Sequence, residues 1–527
     1  MTRRTAILLF FFYFGAAVLL QWRGNAFSAE FGETEDEAAH YVTGLMVRDY
    51  IAQGFPGPPL AYARNYYVHY PKVALGHWPP VFYIVQAFWT LLVPSCHVTL
   101  MLLMAGIAAL LATILCISLQ TEFARFWGVS LGLIFLSLPI VEQYSRDVMA
   151  EMLVALLVFL AVLSYGRYLD TERWQSGVWF GIWFGIALLT KGSAIQLALV
   201  PPVAVLLTRR IHLITRLSFW VPALAVGAIA GPWYYLVPGA QHETVARFGG
   251  VAFHGQRLGG SLTDWAIMLG LVLSFGVLVG LGLSLRQRLR QGKWAAALAA
   301  LAGAYIARLL IGAFEGHHLL VNLPVLMMFV AVAGDWAWRW TLWNVRIRLA
   351  TGVASLAALF AINLFSTAPK RHYGYTEVAR SLLKAPEFKK SAVLVCSGVD
   401  GEGMLISEIA MNESRPGHII LRGSKMLASS DWMSWEYRPR FIDPDQMMNY
   451  LESIPAGVVV MDEAGVRPPH CQLLADGLKK HASQWELVAP VGAANVHVYR
   501  LIGQENRPPG RIQIPMRSGL YGAFSIE

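Results

Sequence analysis

A long succession of apolar runs, each about long enough to cross a bilayer, limits what this chain can fold into. A spanning helix needs about 20 apolar residues, with a range of about 17–25. On that rule the sequence has segments near 5–22, 98–119, 125–141, 148–168, 176–190, 193–208, 215–237, 265–285, 295–313, 318–338 and 348–366. Of 527 residues, 56% are hydrophobic and 14% charged, and the mean hydropathy is +0.48. Soluble domains carry about 25% charge, so a polytopic α-helical membrane protein is expected. The net charge of +9 would point to nucleic acid only if the basic residues formed a patch. They fall in short clusters between apolar runs, so no nucleic-acid partner is expected and membrane lipids are.

Those clusters set the topology. They are Arg3-Arg4, Arg125, Arg167 with Arg173, Arg209-Arg210 with Arg216, Arg286 to Lys293, and Arg339 with Arg346 and Arg348. All lie on one face, the cytoplasmic one, only if the short apolar piece Val81 to Val93 does not cross. It is therefore expected to be a juxtamembrane or re-entrant helix, which leaves about 11 crossings. The first run, Thr5 to Gln21, has no small-residue cleavage site after it and reads as an uncleaved first span. Everything after Phe365 is then outside the cytoplasm. Residues 1–369 are expected to form the membrane domain, with 24–95 as its first outer loop.

Residues 370–503 read as a soluble α/β domain and 504–527 as a loose tail rich in Pro, Gly and Arg. Val393 to Val395, His418 to Leu421, Val458 to Met461, Trp485 to Val488 and Val496 to Leu501 have the pattern of strands. Tyr375 to Lys384 and Asp445 to Ile454 have that of helices. No GxGxxG follows a strand, so no dinucleotide site is expected. The cysteines, Cys96, Cys116, Cys396 and Cys471, lack metal-ligand spacing. A Cys396–Cys471 disulfide is open to an extracytoplasmic domain, but the expectation is two unpaired, small apolar residues.

The outer face of this topology collects the unusual polar residues. Four carboxylates fall between Glu33 and Glu37 in a charge-poor chain. Asp36, with Glu37 beside it, is the candidate reaction centre, a carboxylate placed to take a proton from an attacking group. Acids at the start of a helix also have a plain electrostatic explanation, and for Glu33 and Glu35 a solvated loop is the better reading. Lys72, Arg146 and Lys191 are candidate cations for a phosphate. Arg146 has ordinary partners in Asp147 or Glu151, whereas Lys191 on the outer side runs against the charge bias and asks for a role. His77, His317 and His318 are candidate binding residues. Glu315 with adjacent His317 and His318 invites a zinc reading, but adjacent residues point different ways. A divalent metal is therefore not favoured and no cofactor is expected. His242 and His254 read as ordinary loop residues, and most of the 18 tryptophans as interface anchors.

Taken in order, the motifs resemble the GT-C superfamily of polytopic glycosyltransferases. The resemblance is to the bacterial branch holding protein O-mannosyltransferases and the aminoarabinose transferases that act on lipid A. It is carried by Asp36-Glu37 followed by Ala38 to Tyr41, and by Pro79-Pro80 opening an apolar helix. Further along come Ser145-Arg146 with Glu151-Met152, Leu189 to Gly192, Gly231 to Tyr234, and His318 to Leu320 with Leu323-Pro324. It covers roughly residues 5 to 366. It implies inverting transfer of a monosaccharide from a polyprenyl-phosphate carrier to an envelope acceptor of unknown kind, with Asp36 as general base and Lys191 and Arg146 near the carrier phosphate. It also implies a site on the outer, periplasmic face of the cytoplasmic membrane. The family's lysine before Pro-Pro is Trp78 here, so His77 or Lys72 is expected to supply the missing charge, and Glu151 stands where the family often has Asp. A transporter or flippase of an anionic lipid is the runner-up, but its charges would be expected near the bilayer midplane. A non-catalytic envelope assembly subunit is the third reading.

Overall fold

The computed structural model describes residues 2–74, 76–237, 250–340, 344–389, 391–429, 437–463, 467–488, 495–503, 512–514 and 524–526. His242 lies outside these. Among the described residues, eight helices are long and apolar enough to cross a membrane: Arg3–Arg23, His97–Gln120, Glu151–Thr171, Leu217–Leu236, Gly255–Gln287, Gly292–Leu310, Gly316–Trp340 and Val345–Ser366. The pair Arg125–Ser137 and Pro139–Arg146 passes the same test together but is bent by 65°, and counted as one span it makes nine. Pro139 cannot donate the helical N–H at that bend. The protein is thus a multi-pass membrane protein.

The two expected spans that fall short by length have a physical form of their own. Trp174–Leu188 has 15 residues, about 22 Å at 1.5 Å per residue. The next begins as a 3-10 helix, Gly192–Leu199, and continues as an α-helix, Val200–Thr208. Because the 3-10 part rises about 2.0 Å per residue, the composite reaches about 30 Å, near the hydrocarbon thickness. Val81–Leu92 has 12 residues, about 18 Å, well short of that thickness.

By compactness the chain divides into two units. The first comprises Met1–Ala26, Gly76–Phe82 and Met101–Pro369. The second comprises Phe27–Leu75, Tyr83–Leu100 and Lys370–Glu527. Most of the first outer loop, expected to belong with the membrane domain, groups with the C-terminal residues. Within the first unit, helices approach closely where a side chain is missing. A Cβ on Gly280 would lie 1.9 Å from the Phe329 carbonyl oxygen, so only glycine permits that crossing.

The second unit is built on a five-stranded sheet in the order Ile420–Arg422, Ala392–Cys396, Ala456–Asp462, Val496–Leu501, Trp485–Val488. The first three strands run parallel and the last two are antiparallel to their neighbours. Every side chain of Ala392–Cys396 is buried, as a parallel strand covered on both faces requires. All five expected strands are present; the helix Tyr375–Lys384 precedes the first of them, and Pro444–Ser453 lies in a connection. Ile512–Ile514 and Phe524–Ile526 pair antiparallel within the expected tail.

One expectation is overturned. Cys396 and Cys471 form a disulfide, while Cys96 and Cys116 are free. Cys396 ends a central strand and Cys471 lies in the first turn of the helix Pro469–Lys480, with their Cα atoms 5.6 Å apart. That separation lies in the normal disulfide range. The sequence alone does not show that the helix returns its first turn to this strand. The bridge closes a loop of 75 residues. Cys396→Ser is expected to lower stability by about 2–5 kcal/mol. Alkylation of the denatured, unreduced protein is expected to label two cysteines; labelling of four would show that the bridge is absent.

Candidate functional site

In the second unit the candidate chemistry sits where the helix Glu37–Ala52 begins. Asp36 is its N-cap residue, yet its side chain makes no capping hydrogen bond. It is partly exposed, whereas Glu37 is fully buried. The two neighbouring carboxylates therefore differ in kind. Both Glu37 oxygens accept from Lys370 Nζ at 2.9 Å, and Oε2 also accepts the Gly32 N–H at 2.8 Å. Lys370 and Glu37 are 1% and 0% exposed, so each charge depends on the other. Glu30 is held in a similar way. Its carboxylate accepts the backbone N–H groups of Tyr373 at 3.0 Å and Gly374 at 2.8 Å.

Lys72 is buried near this helix start, and its Nζ donates to the Glu35 carbonyl at 3.3 Å. Burial, reinforced by the Arg422 cation, pushes the Lys72 ammonium down to about 8. Glu402, Asp36 and Asp400 act in the opposite direction. Asp400 belongs to the helix Val399–Asn412. Burial first, then the negative charge of Glu35 and Asp36, pushes its carboxyl up to about 6 against the pull of Lys72. Close packing brings these groups together: a Cβ on Gly403 would lie 2.9 Å from the Ala38 Cβ and 3.0 Å from the Lys72 Cε. Asp36 and Lys72 thus share one electrostatic environment. Sequence reasoning missed Glu30, Lys370, Asp400 and Glu402. Its best signal was Gly398 to Gly403, where two acids alternate with glycines directly after a strand.

The first unit holds the other candidates. Lys191 stands in extended backbone between two helices and pairs with Glu151. Glu315 lies in the same neighbourhood. Its carboxyl is held below its usual value, first by His317 and, against burial, by the Lys191 and Arg257 cations. The Glu315 backbone N–H donates to His318 Nδ1 at 3.0 Å, which leaves the His318 proton on Nε2. His317 lies 3.4 Å from the Glu315 carboxylate and stacks on Tyr144 at 6.3 Å. Lys191, His317 and His318 are therefore brought together. Arg146 is buried, donates to the Ala368 carbonyl at 2.6 Å and lies 3.9 Å from Glu142. Burial pushes the His77 imidazole down to about 4. His254 is an ordinary loop residue whose backbone N–H donates to the Leu309 carbonyl.

Among the described residues, two groups place three potential metal ligands within 4.8 Å: Cys396, His470 and Cys471, and Glu30, His372 and Glu377. In the first, both sulfurs are joined in the disulfide. In the second, Glu30 already serves backbone N–H groups. The Glu315, His317 and His318 cluster is not among them.

The overall fold matches ArnT from Cupriavidus metallidurans bound to undecaprenyl phosphate. The TM-score is 0.64 and the identity 16%, over 96% of this chain and 100% of that one. ArnT in the apo state matches at 0.60 and 16% identity, over 94% and 98%. An oligosaccharyltransferase from Archaeoglobus fulgidus, in complex with Zn and sulfate, matches at 0.51 and 14% identity, over 86% and 68%. No protein-family model and no curated protein sequence matches the chain. The chain shares its fold with ArnT and with this oligosaccharyltransferase.

The Glu37–Lys370 pair makes a direct prediction. Lys370→Ala leaves a buried carboxylate alone and is expected to cost about 3–5 kcal/mol. Adding Glu37→Gln is expected to recover much of that loss in a thermal unfolding series. Equal stability of Lys370→Ala and the parent would show that the pair does not hold this segment.

Proposed function

We propose that the protein is a membrane glycosyltransferase that moves a monosaccharide from a polyprenyl-phosphate carrier to an envelope acceptor with inversion. The observation that carries this reading is the division of labour at the helix start. Glu37 is locked to a buried lysine, while Asp36 is left partly exposed beside the buried cation Lys72. The GT-C fold gives that arrangement its context.

In the proposed reaction the acceptor oxygen or nitrogen attacks the anomeric carbon as Asp36 takes its proton. The bond from that carbon to the phosphate oxygen breaks, and the polyprenyl phosphate leaves with the electron pair. A base at the attacking atom contributes about 10²–10⁴-fold, and positive charge stabilises the leaving phosphate. Lys72 is the cation we assign to the missing lysine of the Pro-Pro motif. Lys191 and Arg146 are proposed to hold the carrier phosphate, with His317 and His318 as hydrogen-bonding neighbours of Lys191. Glu37 is proposed to hold the segment rather than to move protons. The Cys396–Cys471 disulfide supports an extracytoplasmic C-terminal domain, and hence a site on the outer face of the cytoplasmic membrane. The sugar, whether hexose or pentose, is left to assay.

The test is incubation of the purified protein with radiolabelled polyprenyl-phosphate sugars and envelope extract, followed by identification of the labelled component. Asp36→Asn is expected to lower transfer by about 10²–10⁴-fold with membrane insertion unchanged; retained turnover removes the general-base role. A pH series tests Lys72. Its cation is present below about 8 and lost above, so donor use is expected to fall as pH rises through that value. Lys72→Arg is expected to move the alkaline limb upward, and an unmoved limb would exclude Lys72 as the titrating group.

A further inference from the structure

We infer that a pocket at the C-terminal end of the helix Glu37–Ala52 is a saccharide-binding subsite for the distal part of an extended carbohydrate acceptor; this rests on the transferase reading above. The pocket has a volume of about 300 Å³ and lies wholly within the second unit. Its polar wall is Arg48, Asp49, Gln53, Glu413, Ser414 and Arg415.

The wall is held rigid by its own bonds. Asp49 accepts from Arg415 Nε at 2.7 Å and Nη2 at 3.2 Å, from Arg48 Nη1 at 2.7 Å and from the Tyr66 hydroxyl at 3.0 Å. Arg415 Nη1 donates to the Ala410 carbonyl at 2.7 Å. Glu413 accepts from the Tyr70 hydroxyl at 2.6 Å and lies 2.7 Å from His418 Nδ1. The lining thus holds two guanidiniums, both bonded to Asp49, and two carboxylates, of which Glu413 is bonded to Tyr70 and His418. A phosphate or carboxylate guest would need surplus positive charge, which this wall does not supply. A sugar hydroxyl donates and accepts at once, and it suits a neutral wall with the exposed amide of Gln53 and hydroxyl of Ser414 at its mouth.

The chain beside the pocket adds an aromatic face. Two residues beyond Gln53, Phe55 is held at a φ of 60° with its ring 61% exposed. A non-glycine residue in that region is uncommon and strained, and such residues cluster at ligand clamps. The Phe55 ring packs edge-on against Tyr50 at 5.3 Å, and Tyr50 lies 5.1 Å from Tyr62. Convergent polar groups next to an aromatic surface are the usual make-up of a small-molecule site.

Position decides which part of the substrate this is. Asp49 lies 13 residues along the helix from Asp36, about 20 Å at 1.5 Å per residue. A ligand in the pocket is therefore not the sugar under transfer. It is reached by an acceptor several sugar units long whose near end lies at Asp36.

The intact protein in lipid nanodiscs can be titrated with maltotriose, chitotriose and mannotriose, and separately with inorganic phosphate, by saturation-transfer difference NMR. At least one trisaccharide is expected to give saturable signals. Gln53→Ala and Ser414→Ala, both at exposed side chains, are each expected to weaken binding about three- to tenfold. Asp36→Asn is expected to bind as the parent does. Failure of all three trisaccharides, undiminished binding in both variants, or full displacement by phosphate overturns the inference. A trisaccharide that binds to a protein inactive with every polyprenyl-phosphate donor keeps the subsite and removes the transferase reading. Transfer without trisaccharide binding does the reverse.

Discussion

The buried Glu37–Lys370 pair is the contact on which the candidate reaction centre depends. Two opposite charges have left water together, and neither can be removed without stranding the other. The pair joins residues 333 positions apart in sequence. Glu30, bonded to the backbone at Tyr373 and Gly374, joins the same two stretches a few residues away. Between these anchors lies the segment from Phe31 to Asp36, so the start of the helix is fixed from two sides. Asp36 follows that fixed backbone, and its own side chain is not needed to cap the helix.

The first unit solves a similar problem differently. Its polar side chains lie among apolar helices, where unpaired charge is costly. Lys191 therefore pairs with Glu151, and Arg146 with Glu142 and a carbonyl. Glu315 is tied to both neighbouring histidines, through its carboxylate to His317 and its backbone to His318. The break in helical structure at Lys191 matters here. Extended backbone at that position lets a lysine stand between a 15-residue helix and a 3-10 turn, out of the apolar face of either.

Much of this was legible in the sequence, for identifiable reasons. Apolar run length is a direct physical requirement, so the helices fall where composition put them. Ala392–Cys396 and Ala456–Asp462 were readable as apolar runs because the parallel part of the sheet is buried, whereas the antiparallel Trp485–Val488 and Val496–Leu501 mix buried and more accessible positions. Asp36, Lys72 and Lys191 stood out because charge is scarce in this chain. What stayed hidden depends on contacts between distant residues. Glu37 reads like Asp36 until Lys370 is seen beside it, and Lys370 in sequence is only the first cation after the last span. Cys396 and Cys471 look like small apolar residues until the helix Pro469–Lys480 brings the second to the end of the strand. The grouping of residues 27–75 with the C-terminal domain is hidden for the same reason, because no local pattern records it.

The pairing of every candidate cation bears on how an anionic donor would be held. Lys191 has Glu151, Arg146 has Glu142, and Lys72 feels Asp36, Asp400 and Glu402. Within each unit these cations are then not isolated buried charges, which would be costly. A phosphate arriving at such groups must share or displace a carboxylate partner. The Asp400 carboxyl, pushed up to about 6, loses its charge more readily than an ordinary aspartate. Protonation there would leave Lys72 with one fewer negative neighbour and a stronger pull on an incoming anion, while burial works to release the lysine's own proton. The two shifts act on one another, so the net charge near Asp36 is set by the acid and the base together, and neither residue has a fixed contribution of its own.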